Sequence, residues 1–523
     1  MADEAETSSR DFSNLRLEDF LAMSEEERQA LPKARLKKMQ KLAALAERKA
    51  AKAVELEADA ELQQQRRLEE ARRIHIELDP RLPPPQSCQL RDVFASEAAE
   101  WIGRRVLVQG WVHNIRFESK KLAFLDLRDG TGFLQCVLTD KLCMTVEAIT
   151  LFREASVRLW GTLREDARAK GGLELHADYW CIIGPSHRDI EMILTHESNP
   201  DVLLTHRHLV IRGRHTSSVL KMRSIITQCF REHYFDRGYV ELAPPTIVNT
   251  MCEGGSTLFP LDYFGEQAYL TQSSQMYLET AIPAVGDCFC ILPSYRAEKS
   301  STRRHLAEFH HLEAEMPFIT FAQLLQAIEE LVCDVYARVI HRGGELFREL
   351  NPNAAPPKRP FKRMDYADAI EFCRQHRIYK DEESRTPFEF GDDIPEAPER
   401  RMTDMIGEPI LLCRFPIYLK SFYMQPCADD PDLTESVDLL MPGVGEIVGG
   451  SMRMWDHDEL VKAYEREKMD ASAYYWYTDQ RKFGSCPHGG YGLGLERFCC
   501  YMLGVAHVRD VCLYPRYRGR LTP

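Results

Sequence analysis

The sequence lacks the features that mark several common classes of protein. Its 16 cysteines are scattered from Cys88 to Cys512 and never form a C-x-x-C pair, so neither a disulfide framework nor a typical zinc site is indicated. No apolar run approaches the ~18 residues that a membrane span requires, and the first residues, MADEAETSSRDF, are too acidic for a secretory or mitochondrial leader. These absences predict a soluble, cytoplasmic protein with reduced cysteines.

The chain has 523 residues and a net charge of −13, but the charge is unevenly distributed. Its length predicts about two to four domains. Residues 32–53 carry 8 basic and one acidic side chain and have high helix propensity, with Leu36, Met39, Leu42 and Leu45 forming a thin apolar stripe. This segment is either a solvated single helix or a sequence-independent contact with nucleic-acid phosphates. The prolines within 79–85 end a charged helical extension, which we assign to residues 1–80.

A small β barrel is predicted next, within residues 81–190. Five short segments of period-two patterning between 104 and 183 are separated by turn signals, which is typical of a five-stranded OB-type barrel. On one of them Phe124 shares a polar face, while the leucines point the other way. With Arg116 and Gln135 it supplies a ring, a cation and an amide, the groups that unstacked RNA bases require. The alternative is that Phe124 is an incidental exposed aromatic residue.

The remainder reads as an α+β domain. We assign a hinge to 191–212 and the larger domain to 213–523, in which long helical patterns alternate with strands. Residues 342–402 are rich in proline and charged residues around one helix, and are interpreted as an insertion.

A strand, a polar loop and a second strand within 286–315 carry the first group of candidate functional residues. Arg296 and Glu298 share one face of the first strand, and Phe309 lies on the second. Cations for phosphates and a ring for a purine indicate a nucleoside triphosphate site; the alternative is a salt-bridged surface hairpin. The loop adds Arg303, Arg304 and His305.

Three further segments carry candidate residues. Gly492 and Gly494 in a strand indicate a close approach of another group, and Arg497 follows at the start of a helix, but neither a P-loop nor a complete dinucleotide fingerprint is present. Asp438 and Glu446 are suited to sharing a Mg²⁺ with triphosphate oxygens. The third segment combines a predicted mobile loop at 253–255 with a predicted helix face suited to a small polar ligand, formed by Gln272, Gln275 and Glu279.

Taken together, these segments resemble class II aminoacyl-tRNA synthetases. Arg296, Glu298 and Phe309 resemble the family's motif 2, and G-L-G-L-E-R ending at Arg497 resembles motif 3. Residues 230–245, ending at Pro245, resemble motif 1, which in the family forms the dimer interface. Class I signatures are absent. A five-stranded anticodon-binding barrel before the catalytic domain is the arrangement of subclass IIb, the aspartate, asparagine and lysine enzymes. The resemblance covers about residues 88–523.

Within that subclass the amino-acid pocket resembles the asparagine-specific members of the eukaryotic cytosolic type. Aspartate enzymes carry Q-S-P-Q-x-x-K, but Leu278 stands here in place of the lysine and is followed by Glu279. This implies that Glu279 accepts a hydrogen bond from the substrate amide while Arg453 donates to its carbonyl; an aspartate would face a like charge. The resemblance implies a homodimer that uses L-asparagine, ATP, Mg²⁺ and tRNA(Asn).

Roles follow from matched positions. Glu253 and Gln275 are implied to hold the substrate ammonium, and Asp438 and Glu446 the Mg²⁺, although Gly449 stands where related enzymes have a serine. Arg116, Phe124 and Gln135 match the anticodon-reading positions. The implied catalytic residues are Arg296, which also contacts the amino acid, with Glu298, His305 and Arg497; Arg304, Phe309 and Glu446 complete the ATP site.

Three rival functions remain. An aspartyl or dual-specificity enzyme is disfavoured by Leu278 and Glu279. An ATP-dependent asparagine synthetase on the same fold would not need the barrel. A non-catalytic RNA-binding module is disfavoured by the complete set of motif residues.

Overall fold

The structure is a computed structural model that describes residues 17–29, 31–94, 98–193, 198–253, 257–299 and 302–523. The chain forms two compact units, Met1–His196 and Glu197–Pro523, and each is described by itself. In the described part of the chain, no helix is both long enough and apolar enough to cross a membrane.

The first unit begins with three helices: α1 (Leu17–Ala22), α2 (Glu25–Gln29) and α3 (Lys33–Ala71). Phe20, Leu31 and Met39 form a small buried core between them. Of the predicted apolar stripe on α3, Met39 is 4% exposed while Leu45 is 54% exposed. The helix ends at Ala71, before the prolines of 79–85. Residues 1–16, which precede α1, lie outside the described residues.

The predicted barrel is confirmed. Strand β2 pairs with both β3 and β5, which closes the order β2-β3-β4-β6-β5 into a ring; Leu125, Leu127 and Trp180 lie in its core. The elements of this part are β1 (Gln86–Ser87), α4 (Leu90–Val93), β2 (Arg105–Ser119), β3 (Leu122–Arg128), β4 (Phe133–Thr139), α5 (Val146–Ile149), β5 (Ser156–Glu165), β6 (Leu173–Gly184) and α6 (Ile190–Ile193).

The second unit is the predicted α+β domain, built on one eight-stranded sheet of order β13-β16-β17-β18-β19-β12-β11-β7. The sheet is antiparallel except at its two edges, where β13 pairs with β16 and β7 with β11 in parallel. Its elements are α7 (Pro200–Thr205), α8 (Arg207–Val210), α9 (Arg214–Phe235), β7 (Val240–Glu241), β8 (Ile247–Val248), β9 (Phe259–Tyr263), β10 (Glu266–Leu270), α10 (Gln275–Val285), β11 (Cys288–Tyr295), β12 (Glu308–Pro317), α11 (Phe321–Leu350), β13 (Lys362–Asp365), α12 (Tyr366–Gln375), β14 (Tyr379–Asp381), β15 (Thr386–Pro387), α13 (Glu396–Ile406), β16 (Ile410–Cys413), β17 (Ser436–Met441), β18 (Gly445–Met452), α14 (His457–Arg466), α15 (Tyr475–Lys482), β19 (His488–Gly494) and α16 (Leu495–Leu503).

Helices α9, α11 and α16 cover one face of this sheet. Their apolar residues, such as Phe230, Val332 and Phe498, form one core cluster with Val448 and Leu493 of the strands. Helix α11 begins at a capping box in which the side chains of Thr320 and Gln323 satisfy each other's backbone N–H groups. Because successive strand residues point to opposite faces, the polar residues of the same strands face away from this core.

The segment 342–402 is continuous with the main sheet. Its first residues belong to α11, its strand β13 forms the sheet edge beside β16, and it contains α12 and the start of α13 instead of one helix alone. Met364, Tyr366 and Met402 are buried in one apolar cluster with Ile410 of β16. The segment therefore packs directly against the strands that carry the polar face.

Candidate active site

The polar face of the sheet lines a cavity of about 330 Å³ in the second unit. Strands β12, β17, β18 and β19 supply its floor, and the segment 419–424 supplies one wall. The residues predicted from the sequence that line it are Glu253, Gln275, Arg296, Glu298, Arg304, His305, Phe309, Asp438, Glu446, Arg453 and Arg497. Residues 254 and 255 of the predicted mobile loop lie outside the described residues.

Arg296 lines the cavity and follows β11 immediately in the chain. Burial works against its charge, but the carboxylates of Glu253, Glu298 and Glu446 outweigh burial and raise the pKa of the guanidinium. Its Nε is buried without a hydrogen-bond partner, as is the Nε of Arg304, within the part of the chain that the structure describes. A buried donor without an acceptor is costly, so both atoms are suited to an anionic ligand.

His305 and Arg497 also line the cavity, and both Arg497 and Arg304 act electrostatically on His305. The His305 ring contacts Thr302 Oγ1 at 2.7 Å through Nδ1 and Glu298 Oε2 at 3.3 Å through Nε2. Burial lowers the pKa of His305, and the neighbouring cations Arg497 and Arg304 lower it further against the opposing charge of Glu298. This part of the cavity is therefore rich in cationic groups.

Asp438 and Glu446 face a common point above Gly449. A Cβ added to that glycine would lie 3.7 Å from Asp438 Oδ1 and 3.6 Å from Glu446 Oε1. The other oxygens are paired, Asp438 Oδ2 with Lys420 Nζ at 2.7 Å and Glu446 Oε2 with Arg497 Nη1 at 2.9 Å. Burial alone would raise the pKa of Glu446, but Arg497, Arg304 and Lys420 hold it at about 2. Two carboxylate oxygens thus lie within 3.7 Å of the same point above Gly449.

The opposite end of the cavity contains Arg453 and Glu253. Arg453 donates through Nε to Glu315 Oε1 at 3.1 Å and through Nη1 to Ser451 Oγ at 2.8 Å. Glu253 accepts from the hydroxyl of Ser421 at 3.0 Å and from that of Tyr423 at 3.2 Å. Arg453 also lies over the ring of Tyr423, 5.5 Å from its centroid, so this part of the cavity presents a fixed guanidinium and a fixed carboxylate on either side of one tyrosine.

The assignment of Glu279 to direct contact with a ligand requires correction. Its side chain is fully buried and does not line the cavity. Its oxygens accept from Arg481 at 2.6 Å, Tyr477 at 2.8 Å and Gln275 at 3.0 Å, and His488 Nε2 lies 2.9 Å away. Burial opposes ionisation, but Arg481 and His488 outweigh it and lower the pKa of Glu279. Glu279 supports Gln275 from behind and reaches the cavity only through it.

Gln272 does not lie on the helix face that was predicted for it. Helix α10 begins at Gln275, so Gln272 precedes it, and its Oε1 accepts from the backbone N–H groups of Cys252 and Glu253 at 3.2 and 3.0 Å. Gln272 therefore anchors the backbone that positions Glu253.

Several cavity residues were missed by reasoning from the sequence. Lys420, Ser421 and Tyr423 lie in a segment with no motif and no regular periodicity, and they become neighbours of Asp438 and Glu253 only on folding. Glu313 lies on the same strand as Phe309, β12, and was given no role from the sequence. It lines the cavity, accepts from the hydroxyl of Ser273, and accepts from the backbone N–H of Ser274 at 2.8 Å.

The glycines of β19 allow its backbone to approach β12 and β18. A Cβ at Gly492 would overlap the His311 ring, and one at Gly490 would overlap the carboxylate of Glu315. The close approach predicted from Gly492 and Gly494 is therefore made by side chains of β12 in the case of Gly492. At Gly494 a Cβ would meet only Arg497 at 3.6 Å.

In the first unit, the three predicted RNA-contacting residues lie on one surface of the barrel. Arg116 pairs with Phe124 across β2 and β3, and its guanidinium carbon lies 5.6 Å from the ring centroid. Gln135 follows on β4, where its Nε2 donates to Glu174 Oε2 at 3.0 Å. Arg128, four residues after Phe124 on β3, is only 7% exposed because it pairs with Glu154.

The motif 1 region exposes apolar side chains. Pro245 is exposed, and around it Phe235, Val240 and Ile247 are 53%, 37% and 47% exposed. Helix α9 and β7 are linked by an ion pair between Arg231 and Glu241 at 2.9 Å. The surface carries large apolar groups on rigid elements.

The fold and the cavity define a class of enzyme that comparison with known proteins identifies. Residues 199–518 match the family of tRNA synthetases class II (D, K and N), residues 106–183 match an OB-fold nucleic acid binding domain, and residues 14–83 match an asparaginyl-tRNA synthetase N-terminal domain. The predicted class II synthetase architecture is thereby confirmed.

Individual relatives show which amino-acid specificity within this class the chain resembles. A cytoplasmic asparagine-tRNA ligase of Bos taurus is 55% identical over 498 residues, which is 94% of this chain and 88% of the relative. A solved Entamoeba histolytica asparaginyl-tRNA synthetase in complex with asparaginyl-adenylate is 49% identical, with a TM-score of 0.79 over 84% of this chain and 100% of that one. A Pyrococcus horikoshii asparaginyl-tRNA synthetase, also complexed with asparaginyl-adenylate, is 34% identical, with a TM-score of 0.77 over 83% and 99%. The chain belongs to the asparagine-tRNA ligase family.

Proposed function

We propose that the chain activates L-asparagine with ATP and transfers it to tRNA(Asn) in the cytoplasm, the compartment in the name of its bovine relative. The observation that carries the proposal is the pair of buried Nε donors on Arg296 and Arg304, which lack partners among the described residues in a cavity that also holds two converging carboxylates. A polyanion that brings a cation with it would satisfy both groups.

The reaction divides into two displacements. A carboxylate oxygen of asparagine bonds to the α-phosphorus of ATP as the bond to the bridging oxygen of the leaving pyrophosphate breaks. The terminal hydroxyl of the tRNA then bonds to the activated carbonyl carbon, and AMP leaves. Positioning and fixed cations are the principal sources of rate in such transfers. Arg296 would hold the α-phosphate, and His305 and Arg497 the far end of the triphosphate.

The carboxylates fit Mg²⁺. One oxygen each from Asp438 and Glu446 converges on the space above Gly449, and Mg²⁺ commonly takes one or two carboxylates and completes its shell with water and phosphate. The low pKa of Glu446, about 2, keeps this ligand ionised at neutral pH. The ion would supply charge neutralisation between phosphate oxygens. Lys420 and Arg497 hold the two carboxylates in place from behind.

The opposite end of the cavity supports an amide ligand. Because the NH₂ group of Gln275 is engaged by Glu279, its carbonyl oxygen is the end suited to an ammonium, together with Glu253. Arg453 is suited to donate to the side-chain carbonyl. Glu279 does not line the cavity, whereas Glu313 does. We therefore assign Glu313 as the acceptor of a hydrogen bond from the NH₂ group of the substrate's side-chain amide.

Two further parts of the proposal rest on surfaces. Arg116, Phe124 and Gln135 would read the anticodon, since a ring flanked by a cation and an amide suits unstacked bases.

Phe235, Val240 and Ile247 beside Pro245 would meet a second copy of the chain, because large apolar groups on rigid elements mark interaction sites. Ile247→Glu should then shift the sedimentation coefficient to that of the monomer, with Phe483→Glu, at a remote residue that is 81% exposed, as its matched control.

The deciding experiment is amino-acid-dependent exchange of pyrophosphate into ATP with each of the 20 amino acids. Asparagine alone should support exchange, and the same preparation should charge tRNA(Asn). Exchange with aspartate would establish the rival specificity, and free asparagine made from aspartate and ammonia would establish the synthetase. RNA binding without any exchange would establish the non-catalytic module.

A further inference from the structure

Helix α13 touches the nucleotide end of the cavity from outside, through the carboxylate of Glu399. This side chain is 10% exposed. Its Oε1 accepts from Arg304 Nη1 at 2.6 Å and from the backbone N–H of Glu446 at 3.0 Å. One oxygen atom therefore joins the loop after β11 to the start of β18, although the two segments are far apart in the sequence.

The backbone beside this contact is shaped to admit it. Gly445 has a φ of +87°, a conformation that favours glycine. A Cβ at this position would stand 2.6 Å from Arg304 Nη1 and 2.8 Å from Glu399 Oε1. The ion pair thus occupies the volume that any other side chain at position 445 would fill, which makes the contact a specific feature of this turn.

A second contact from the same helix holds the same turn. Asp404 Oδ1 accepts from the backbone N–H of Gly443 at 2.6 Å. The turn between β17 and β18 is therefore fixed to α13 at two points, Gly443 and Glu446. Since this turn joins the strands that carry Asp438 and Glu446, α13 supports the part of the backbone from which Glu446 extends.

The energetics favour a role in orienting Arg304. Its guanidinium is 9% exposed, and a buried charge without a partner is strongly destabilising. Glu399 engages Nη1 alone, while Nε has no hydrogen-bond partner among the described residues. The pair neutralises the cation from one side and leaves a donor for a ligand on the other, which is the arrangement of a supported binding residue.

We propose that Glu399 is a positioning residue for the nucleotide: it fixes the Arg304 guanidinium and the Glu446 backbone in the geometry that ATP requires. The inference rests on the proposed function and assigns a task to the segment 342–402. It predicts an effect on ATP that is separable from any effect on asparagine, because Glu399 does not line the cavity and is linked to it only at the nucleotide end.

The test is Glu399→Gln, which keeps the shape and removes the charge. In pyrophosphate exchange the KM for ATP should rise about tenfold while the KM for asparagine stays within about twofold. Calorimetry with an α,β-methylene ATP analogue, in buffer without Mg²⁺, should give the same tenfold loss of affinity. Glu399→Asp should recover part of the loss, because a charge remains beside Arg304.

The matched control is Glu382→Gln, which removes a carboxylate paired with Arg401 of the same helix at 2.8 Å on the exposed surface. It should leave both KM values unchanged. Equal rises in the two KM values, or none in a folded Glu399→Gln variant, would overturn the inference. If that variant does not fold, Glu399→Asp decides by the same two measurements. Wild-type protein without exchange on any amino acid would overturn the proposed function instead.

Discussion

Asp438 Oδ1 and Glu446 Oε1 converge on the same space, 3.7 and 3.6 Å from where a side chain on Gly449 would begin. The residue between the two carboxylates is thus one that has no side chain. Because both distances are ordinary van der Waals contacts, the space accepts one methyl group without distortion of the sheet, but then has less room for an ion and its waters.

Gly449→Ala should therefore raise the Mg²⁺ concentration that gives half-maximal exchange by roughly tenfold, equivalent to about 1.4 kcal/mol. Folding should be preserved, and the melting temperature should match that of wild type. A variant with unchanged Mg²⁺ dependence would remove the two carboxylates from consideration as the ion's ligands.

Arg296→Ala should reduce pyrophosphate exchange by at least about 10²-fold, the scale for losing a fixed donor at a developing charge. Its surroundings, Glu253, Glu298 and Glu446, would then meet the triphosphate without their central cation. Circular dichroism should show that the variant is folded. Arg466→Ala, at an exposed residue paired with its neighbour Glu467, is the control for removal of an arginine, and exchange that survives in Arg296→Ala would contradict the role.

Phe124→Ala should weaken charging of tRNA(Asn) and spare exchange. Loss of a stacking ring costs about 1–3 kcal/mol per base, so kcat/KM for the tRNA should fall by roughly 5- to 150-fold. Both assays belong on one preparation. Phe117→Ala, at an exposed ring of the neighbouring strand β2, is the matched control, and equal losses in the two variants would show that Phe124 has no particular contact with the anticodon.

The stability contributed by Glu279 should depend on pH. Its ordinary pKa of 4.5 is lowered in the folded protein, so its contribution is fully present well above pH 4.5 and is lost as the pH falls toward the folded-state value. The difference in unfolding free energy between wild type and Glu279→Gln should shrink by roughly 0.7 kcal/mol between pH 5 and pH 4. Denaturant unfolding at both pH values measures it, and a constant difference would contradict the lowered pKa.

The elements that the sequence predicted well are those with a local signal. Alternation in the segments around Phe124 and Phe309 gave the strands β3 and β12, because side-chain period depends only on neighbouring residues. The long helical patterns predicted for the larger domain are present as well, for example as α11, which runs from Phe321 to Leu350. Composition alone did not reveal that the segment 342–402 continues the main sheet, since that pairing depends on β16, which lies beyond it.

The site was less predictable where a role depends on partners distant in sequence. Glu279 has the spacing of a pocket residue, yet Arg481 and His488, about 200 positions later, draw its carboxylate away from the cavity. Lys420 lacks any motif and acquires its role only beside Asp438. A pattern identifies which residues share a face, but not which of them are already occupied by another buried charge.

The glycines of β19 also restrict which amino-acid substitutions this protein can accept. Every single-base substitution of a glycine codon that replaces the amino acid introduces a β-carbon, and at Gly490 and Gly492 that atom has nowhere to go. Substitution at these two positions is therefore restricted, so we expect a lineage that alters its preference for an amino acid to do so through other residues of the cavity, such as Glu313.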